Sequence, residues 1–343
     1  MREMPVEKLK SRLEEEGFVV VHDFLDPAAV TIAHDEIEDW YLRDQEERKQ
    51  KSITEPMYDG SAGKTILTKP THLMLDVYGK SPTLDSLFER ILSDPESAGL
   101  LRALAGRNLK LRGYNIKKMT GAHDPRPDVG PAPNPHEWHR DSPYEICIAV
   151  FLDDFSQPNN GTTALMSGSH RFPYCPRWSC LFGPPFALSR IFRLQLGIGM
   201  FLRFNLFNHL LARRVGKLAT GAYGKRGDFY IFINDVWHGR EPNTHGNNHM
   251  MLMVGAFPTE IPYPDKVVAP DPEILATLPS SLRAAAAQVL PQNNGADTIL
   301  RRMHERRARD RFPILFHLAR VERYVAEIYS IAYFWLKRTI AHF

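Results

Sequence analysis

Five short runs between residues 109 and 257 most constrain this fold: LKLRGYNI, YEICIAVFL, TTALM, FYIFI and MMLMVGAF. Each is the length of a strand, is rich in β-branched, aromatic or aliphatic residues, and is bounded by Gly, Pro or Asn. No helical period separates most of them. Short strands that follow one another without intervening helices predict a mainly β core of the sandwich or jelly-roll type, with the helices gathered elsewhere in the chain. No internal repeat is visible.

The flanking regions read differently. Residues 5 to 20 carry an amphipathic helix with Val6, Leu9 and Leu13 on one side; Gly17 ends it, and FVVVHDFL follows as a strand. Asp26-Pro27 opens a second helix, with Asp26 as N-cap and Pro27 in the first turn. Residues 41 to 70 are polar and read as irregular. Residues 83 to 105 read as helical, with Leu84, Leu87, Ile91, Leu100 and Leu104 apolar. These features divide the 343 residues into a domain over 1–270 and a helical extension over 271–343.

Apolar content of 43% and charged content of 24% are those of a soluble globular protein. The N-terminus lacks the apolar core of a secretory signal, and no uninterrupted apolar stretch is long enough to span a bilayer. Three cysteines, Cys147, Cys175 and Cys180, do not make a disulfide framework, which favours a reducing, cytoplasmic setting. Cys175 and Cys180 have no second pair at zinc spacing. The net charge of +3 conceals an asymmetry: Arg171 to Gly227 holds ten of the 43 basic residues and no acidic one, so the rest of the chain carries 33 basic and 40 acidic groups. A block so basic implies an anionic partner.

The chemistry centres on Trp138-His139-Arg140-Asp141. On a strand, residues i and i+2 share a face, so His139 and Asp141 project together and Arg140 away. A second His from a neighbouring strand would complete a 2-His-1-carboxylate set, which suits Fe(II) and leaves coordination positions open. His238, directly after GDFYIFINDVW, is the best placed of 14 histidines. The competing reading of the same residues is a capped strand end and a surface turn.

The wider pattern resembles the phytanoyl-CoA dioxygenase family of Fe(II)/2-oxoglutarate oxygenases. The resemblance rests on EEGFVVVHDFLDP, WHRD, FLDD, NNGTTALMSGSHR and GDFYIFINDVWHGREPN, in that order. It implies a double-stranded β-helix core, Fe(II) held by His139, Asp141 and His238, and 2-oxoglutarate and O2 as cosubstrates. A carboxylate in the HxD position argues against halogenation. One position departs from the family: about eleven residues after the distal His, where an Arg is usual for the far carboxylate of 2-oxoglutarate, this chain has His249. An imidazole is a poorer and pH-dependent substitute for the guanidinium fork. Arg240, two residues after His238, is the first candidate replacement; Lys118 and Tyr114, on the strand before the HxD, are the others.

The basic segment 171–227 interleaves Phe, Leu and Ile with Arg. It reads either as a lid over the substrate pocket or as a surface lying on anionic lipid with its Arg side chains reaching the headgroups. It does not resemble a nucleic-acid platform, because its aromatics sit among aliphatics. In the extension, Leu318, Val321, Val325, Ile328, Ala332 and Trp335 form an apolar stripe behind an Arg cluster at 301–311. The sequence therefore predicts a hydroxylase of an anionic or lipid-linked substrate, cytoplasmic or peripheral to a membrane. The alternatives are a soluble tailoring oxygenase of a small natural product and a non-catalytic scaffold barrel. Oligomeric state is not legible.

Overall fold

A computed structural model describes residues 6–50, 65–68, 71–106, 109–119, 145–171, 219–236, 238–241, 243–258, 270–287 and 298–302. His139, Asp141, Cys175, Cys180, most of the basic segment and the apolar stripe of the tail lie outside the described residues.

The chain forms a mixed α+β structure with antiparallel sheets. The N-terminal unit is α1 (Val6–Glu16), β1 (Phe18–Val21) and α2 (Pro27–Gln50). Gly17 takes φ +83°, and a Cβ there would lie 2.3 Å from His170 Nδ1, so glycine is required at this junction. Asp26 accepts from the Ala28 amide at 3.1 Å, as the N-cap reading anticipated. The first part of the 41–70 stretch is helical rather than irregular, since α2 continues to Gln50. Beyond Tyr41, Arg43, Glu46 and Glu47 are exposed, where no apolar stripe is needed to hold them. Two short strands that the sequence did not reveal follow, β2 (Thr65–Thr68) and β3 (Thr71–Met74).

The single helix expected over 83–105 is two: α3 (Pro82–Ser93) and α4 (Pro95–Ala105). Pro95 cannot donate to the preceding turn, and Asp94, whose carboxylate accepts from Glu96 N and Ser97 N, starts a new helix there. Their apolar faces, including Leu84, Phe88, Ile91, Leu100 and Leu104, are buried in the main core.

The remaining strands are β4 (Leu109–Met119), β5 (Ile146–Phe151), β6 (Thr163–Met166), β7 (Ala219–Gly221), β8 (Phe229–Ile233), β9 (His238–Arg240) and β10 (His249–Pro258). They make a seven-stranded sheet in the order β1-β8-β5-β10-β4-β3-β2 and a three-stranded sheet in the order β7-β6-β9. The two sheets face each other: Tyr230 of β8 donates to Thr163 Oγ1 of β6 at 2.8 Å, and the Phe232 ring meets the His238 ring edge-on at 5.0 Å.

The larger sheet is covered on its other face by helices. Antiparallel partners share a face, so the register sorts every residue. Tyr114, Ile116 and Lys118 of β4 align with Val254, Leu252 and Met250 of β10 on the helix side. Met119, Lys117 and Asn115 align with His249, Met251 and Met253 on the side of the smaller sheet. Two further helices, α5 (Pro272–Thr277) and α6 (Ser280–Ala287), pack into the same core through Leu278, Leu282, Ala285 and Ala286. Glu89 of α3 caps α6 by accepting from Ser281 N at 3.0 Å and Leu282 N at 2.7 Å. No helix among the described residues is long and apolar enough to cross a membrane.

Candidate active site

His238 opens β9, whose pairing with β6 aligns His238 with Leu165 and Arg240 with Thr163. Thr163 meets Tyr230 across the gap, so His238, Arg240 and Thr163 all project into the space between the sheets, while Gly239 points away. His238 is buried, and its Nδ1 lies 2.8 Å from the Val236 carbonyl. A carbonyl can only accept, so Nδ1 carries the proton and Nε2 carries the lone pair. This is the tautomer a metal-ligating histidine needs, with its orientation fixed from behind.

Arg240 donates through Nε to the Gly161 carbonyl at 3.0 Å. Gly161 sits at φ +75°, and a Cβ on it would lie 2.6 Å from Met119 Sδ, so glycine lets the turn that supplies this carbonyl pack closely on β4. Burial lowers the Arg240 guanidinium to about 10, with nearby Tyr230 acting in the opposite direction. It stays cationic at neutral pH. Burial also raises the Tyr230 phenol, which remains a neutral donor.

His249 begins β10 on the same inter-sheet face. Its Nε2 lies 2.5 Å from Asn160 Oδ1, and its ring packs against Phe155 at 4.8 Å. Burial lowers its pKa, Asp153 and Asp154 raise it, and Arg240 and His245 lower it. The net shift is downward, so the ring is neutral near pH 7. Glu241, next to Arg240, accepts from the Tyr223 hydroxyl at 2.6 Å and Asn159 N at 3.1 Å, and burial raises its pKa.

The structure thus brings His238, Arg240 and His249 together and separates them from the other two sequence candidates. Lys118 points to the helix layer, where its ammonium is paired with Glu38 of α2 and lies 4.4 Å from the Tyr41 ring centroid. Tyr114 also faces the helices, stacked on Tyr78 at 4.6 Å and edge-on to Phe88 at 5.4 Å. Its hydroxyl lies beside the Asp85 carboxyl. Their spacing along β4 gave no sign of which side of the sheet they occupy. Three inter-sheet residues escaped the sequence reading: Tyr230, Thr163 and Asn160. Tyr230 is the one polar-tipped residue in the wholly buried run FYIFI, and that isolated hydroxyl is the signal that could have found it.

The basic block is already reduced by one at its described end. Arg226 donates to Leu152 O, Thr31 Oγ1 and Asp153 Oδ1, each at 2.9 Å, so it ties α2 to the end of β5. No group of three His, Cys, Asp or Glu arranged for a metal occurs among the described residues, which hold one of the three expected ligands.

The residues present fit the groups that the sequence resemblance implies. His238 supplies an imidazole nitrogen with the correct tautomer, Arg240 a retained cation, and His249 a buried Nδ1 that makes no hydrogen bond. The family model for phytanoyl-CoA dioxygenase (PhyH) matches residues 13–247. Among solved structures, AviO1 from Streptomyces viridochromogenes Tue57 is similar at 16% identity, covering 77% of this chain and 99% of that one, with a TM-score of 0.49. HygX from Streptomyces hygroscopicus, solved with nickel and 2-oxoglutarate bound, is similar at 14% identity over 74% of this chain and 87% of that one, with a TM-score of 0.43. The non-heme alpha-ketoglutarate-dependent epimerase SnoN from nogalamycin biosynthesis gives 17% identity, 78% and 90% coverage, and a TM-score of 0.43.

Proposed function

The chain belongs to the phytanoyl-CoA dioxygenase family, and from that premise we propose that it hydroxylates a small organic substrate at an iron held by His139, Asp141 and His238. Fe(II) is the cofactor, and 2-oxoglutarate and O2 are the cosubstrates. The two facing sheets are read as the double-stranded β-helix core of that family. When bound, the metal supplies the oxidising chemistry; the protein supplies binding, orientation and a water-poor space.

The observation that carries this reading is the shared face of β9. It holds a histidine with its lone pair on Nε2 and, two residues on, a half-buried cation pinned to the Gly161 carbonyl. Arg240 binds the far carboxylate of 2-oxoglutarate, since a guanidinium is the best donor fork for that group. Its Nε donates to the Gly161 carbonyl, which fixes the orientation of the guanidinium on that face. Thr163 and Tyr230 hold the floor between the sheets, and Phe232, Met251 and Phe155 keep it apolar.

Anaerobic addition of Fe(II) and 2-oxoglutarate, followed by O2, tests the proposal. It requires binding of both and O2-dependent formation of succinate. Failure to bind 2-oxoglutarate or to form succinate would leave the scaffold-barrel reading standing instead.

The acid-free basic segment favours an anionic or lipid-linked substrate presented at a membrane surface. Each basic residue near an anionic bilayer contributes on the order of 1 kcal/mol, and Arg226 is not among those available. Co-sedimentation with anionic but not neutral vesicles, reduced by salt and by Arg213→Glu with Arg214→Glu, is the expected result. A protein that stays in the supernatant at low salt refutes the membrane contact and leaves a soluble substrate.

A further inference from the structure

We propose that His249 is a proton-coupled second anchor for 2-oxoglutarate: its Nδ1 takes up a proton as the ligand's far carboxylate binds, so that pH sets the affinity for the cosubstrate. This rests on the assignment of Arg240 to the same carboxylate.

Asn160 fixes the tautomer of His249. Its Nδ2 donates to the Asp154 carbonyl at 2.9 Å, which fixes the amide and leaves Oδ1 facing His249 Nε2 at 2.5 Å. Oδ1 can only accept, so Nε2 carries the hydrogen. In a neutral ring Nδ1 is then a lone-pair acceptor. That atom is buried and makes no hydrogen bond, in a residue only 6% exposed. A buried polar atom left unpaired is costly and calls for an explanation.

The surroundings explain why the ring is neutral without ligand. Arg240 approaches from β9 and His245 from the loop before β10, and both oppose a positive ring, as does burial. Asp153 and Asp154, from the segment after β5, favour it. On β4 the register partner is the apolar Met119, with Lys117 two residues along the same face. A carboxylate beside Arg240 reverses the balance, because it offsets the field of that cation and offers an acceptor. A neutral Nδ1 would turn its lone pair toward the carboxylate, whereas a protonated Nδ1 donates to it and pairs with its charge. The folded scaffold pays nothing further, since Asn160 already holds the ring in place.

The sign follows from linkage. The ring's pKa is low when free and higher when 2-oxoglutarate is bound, so binding is tightest below the free value. Affinity then falls by up to tenfold per pH unit until the bound value is passed. The test uses the full chain loaded anaerobically with Fe(II). 2-Oxoglutarate is titrated in by calorimetry at pH 6, 7 and 8, in two buffers of different protonation enthalpy. The expected wild-type result is a Kd that rises severalfold or more from pH 6 to pH 8, with uptake of a fraction of a proton near neutrality. His249→Arg should bind with no proton uptake and a flat pH profile, and His249→Gln should bind more weakly and also without uptake. A flat wild-type profile with no uptake overturns the proposal while leaving the Arg240 site intact. Uptake that persists in His249→Gln assigns the proton to another group and also overturns it. Absence of 2-oxoglutarate binding in every variant would instead refute the underlying assignment of the site.

Discussion

Replacing Arg240 tests the site most directly. Its guanidinium lies half-buried between the sheets, still cationic with a value of about 10, and anchored through Nε to the Gly161 carbonyl. A hydrogen bond to a charged group contributes about 1.5–3 kcal/mol. At 1.4 kcal/mol per factor of ten, loss of that contact weakens 2-oxoglutarate binding by roughly 10- to 150-fold. Arg240→Ala should fall in this range. Arg240→Lys retains the charge but loses both the fork and the Nε bond to Gly161, and should weaken binding by about tenfold. Anaerobic calorimetry gives both constants, with circular dichroism as the control for folding. A Kd within threefold of wild type in a folded Arg240→Ala protein would refute the assignment and return the anchor to residues elsewhere in the pocket.

His139→Ala, Asp141→Ala and His238→Ala should each lose stoichiometric Fe(II), measured by metal analysis, together with succinate formation; full activity in any one removes that residue from the ligand set. Lys118→Met should leave the 2-oxoglutarate Kd within twofold of wild type, because this side chain pairs with Glu38 on the far face of the sheet; a tenfold loss in calorimetry would contradict that placement. Asp228→Ala removes the acceptor for Asp23 N, Lys225 N and His22 Nδ1, each at 2.8 Å. It should lower stability by about 2–5 kcal/mol in chemical denaturation, since two backbone donors lose their partner, and a loss below 1 kcal/mol would contradict this. Asp85 is raised from 3.8 to about 6 by burial, against the opposing hydrogen bond from the Gly79 amide and the nearby Tyr114 hydroxyl. The folded state therefore holds its proton more tightly, and this group's contribution to stability declines as pH rises through the range 4 to 6, by about 3 kcal/mol at most. Asp85→Asn should remove that part of the slope in denaturation series across those pH values, and an unchanged slope would show that the carboxyl titrates normally.

The sequence by itself determined the local features. Gly17 and Asp26-Pro27 mark element boundaries because backbone freedom and capping are properties of one or two residues. The two-residue spacing of His238 and Arg240 places them on one face of any strand, and the ordered motifs pointed to the family. The long polar helix to Gln50 was not legible, since it lacks the apolar period that reveals helices. The break at Pro95 was available in the sequence but masked by the continuous leucine pattern around it.

Which face of a strand meets the site was decided only in three dimensions. Tyr114 and Lys118 carry the right chemistry, yet the register of β4 against β10 turns them toward α2 and α3 and presents Met119 and Lys117 to the opposite sheet. FYIFI is buried on both faces, so no alternation singled out Tyr230. His249 and Asn160 are 89 residues apart and meet only because β10 and the turn before β6 close on one pocket. A strand's period fixes which of its residues travel together, but a one-residue change of register reverses which side they face. That register is set by partners distant in the chain.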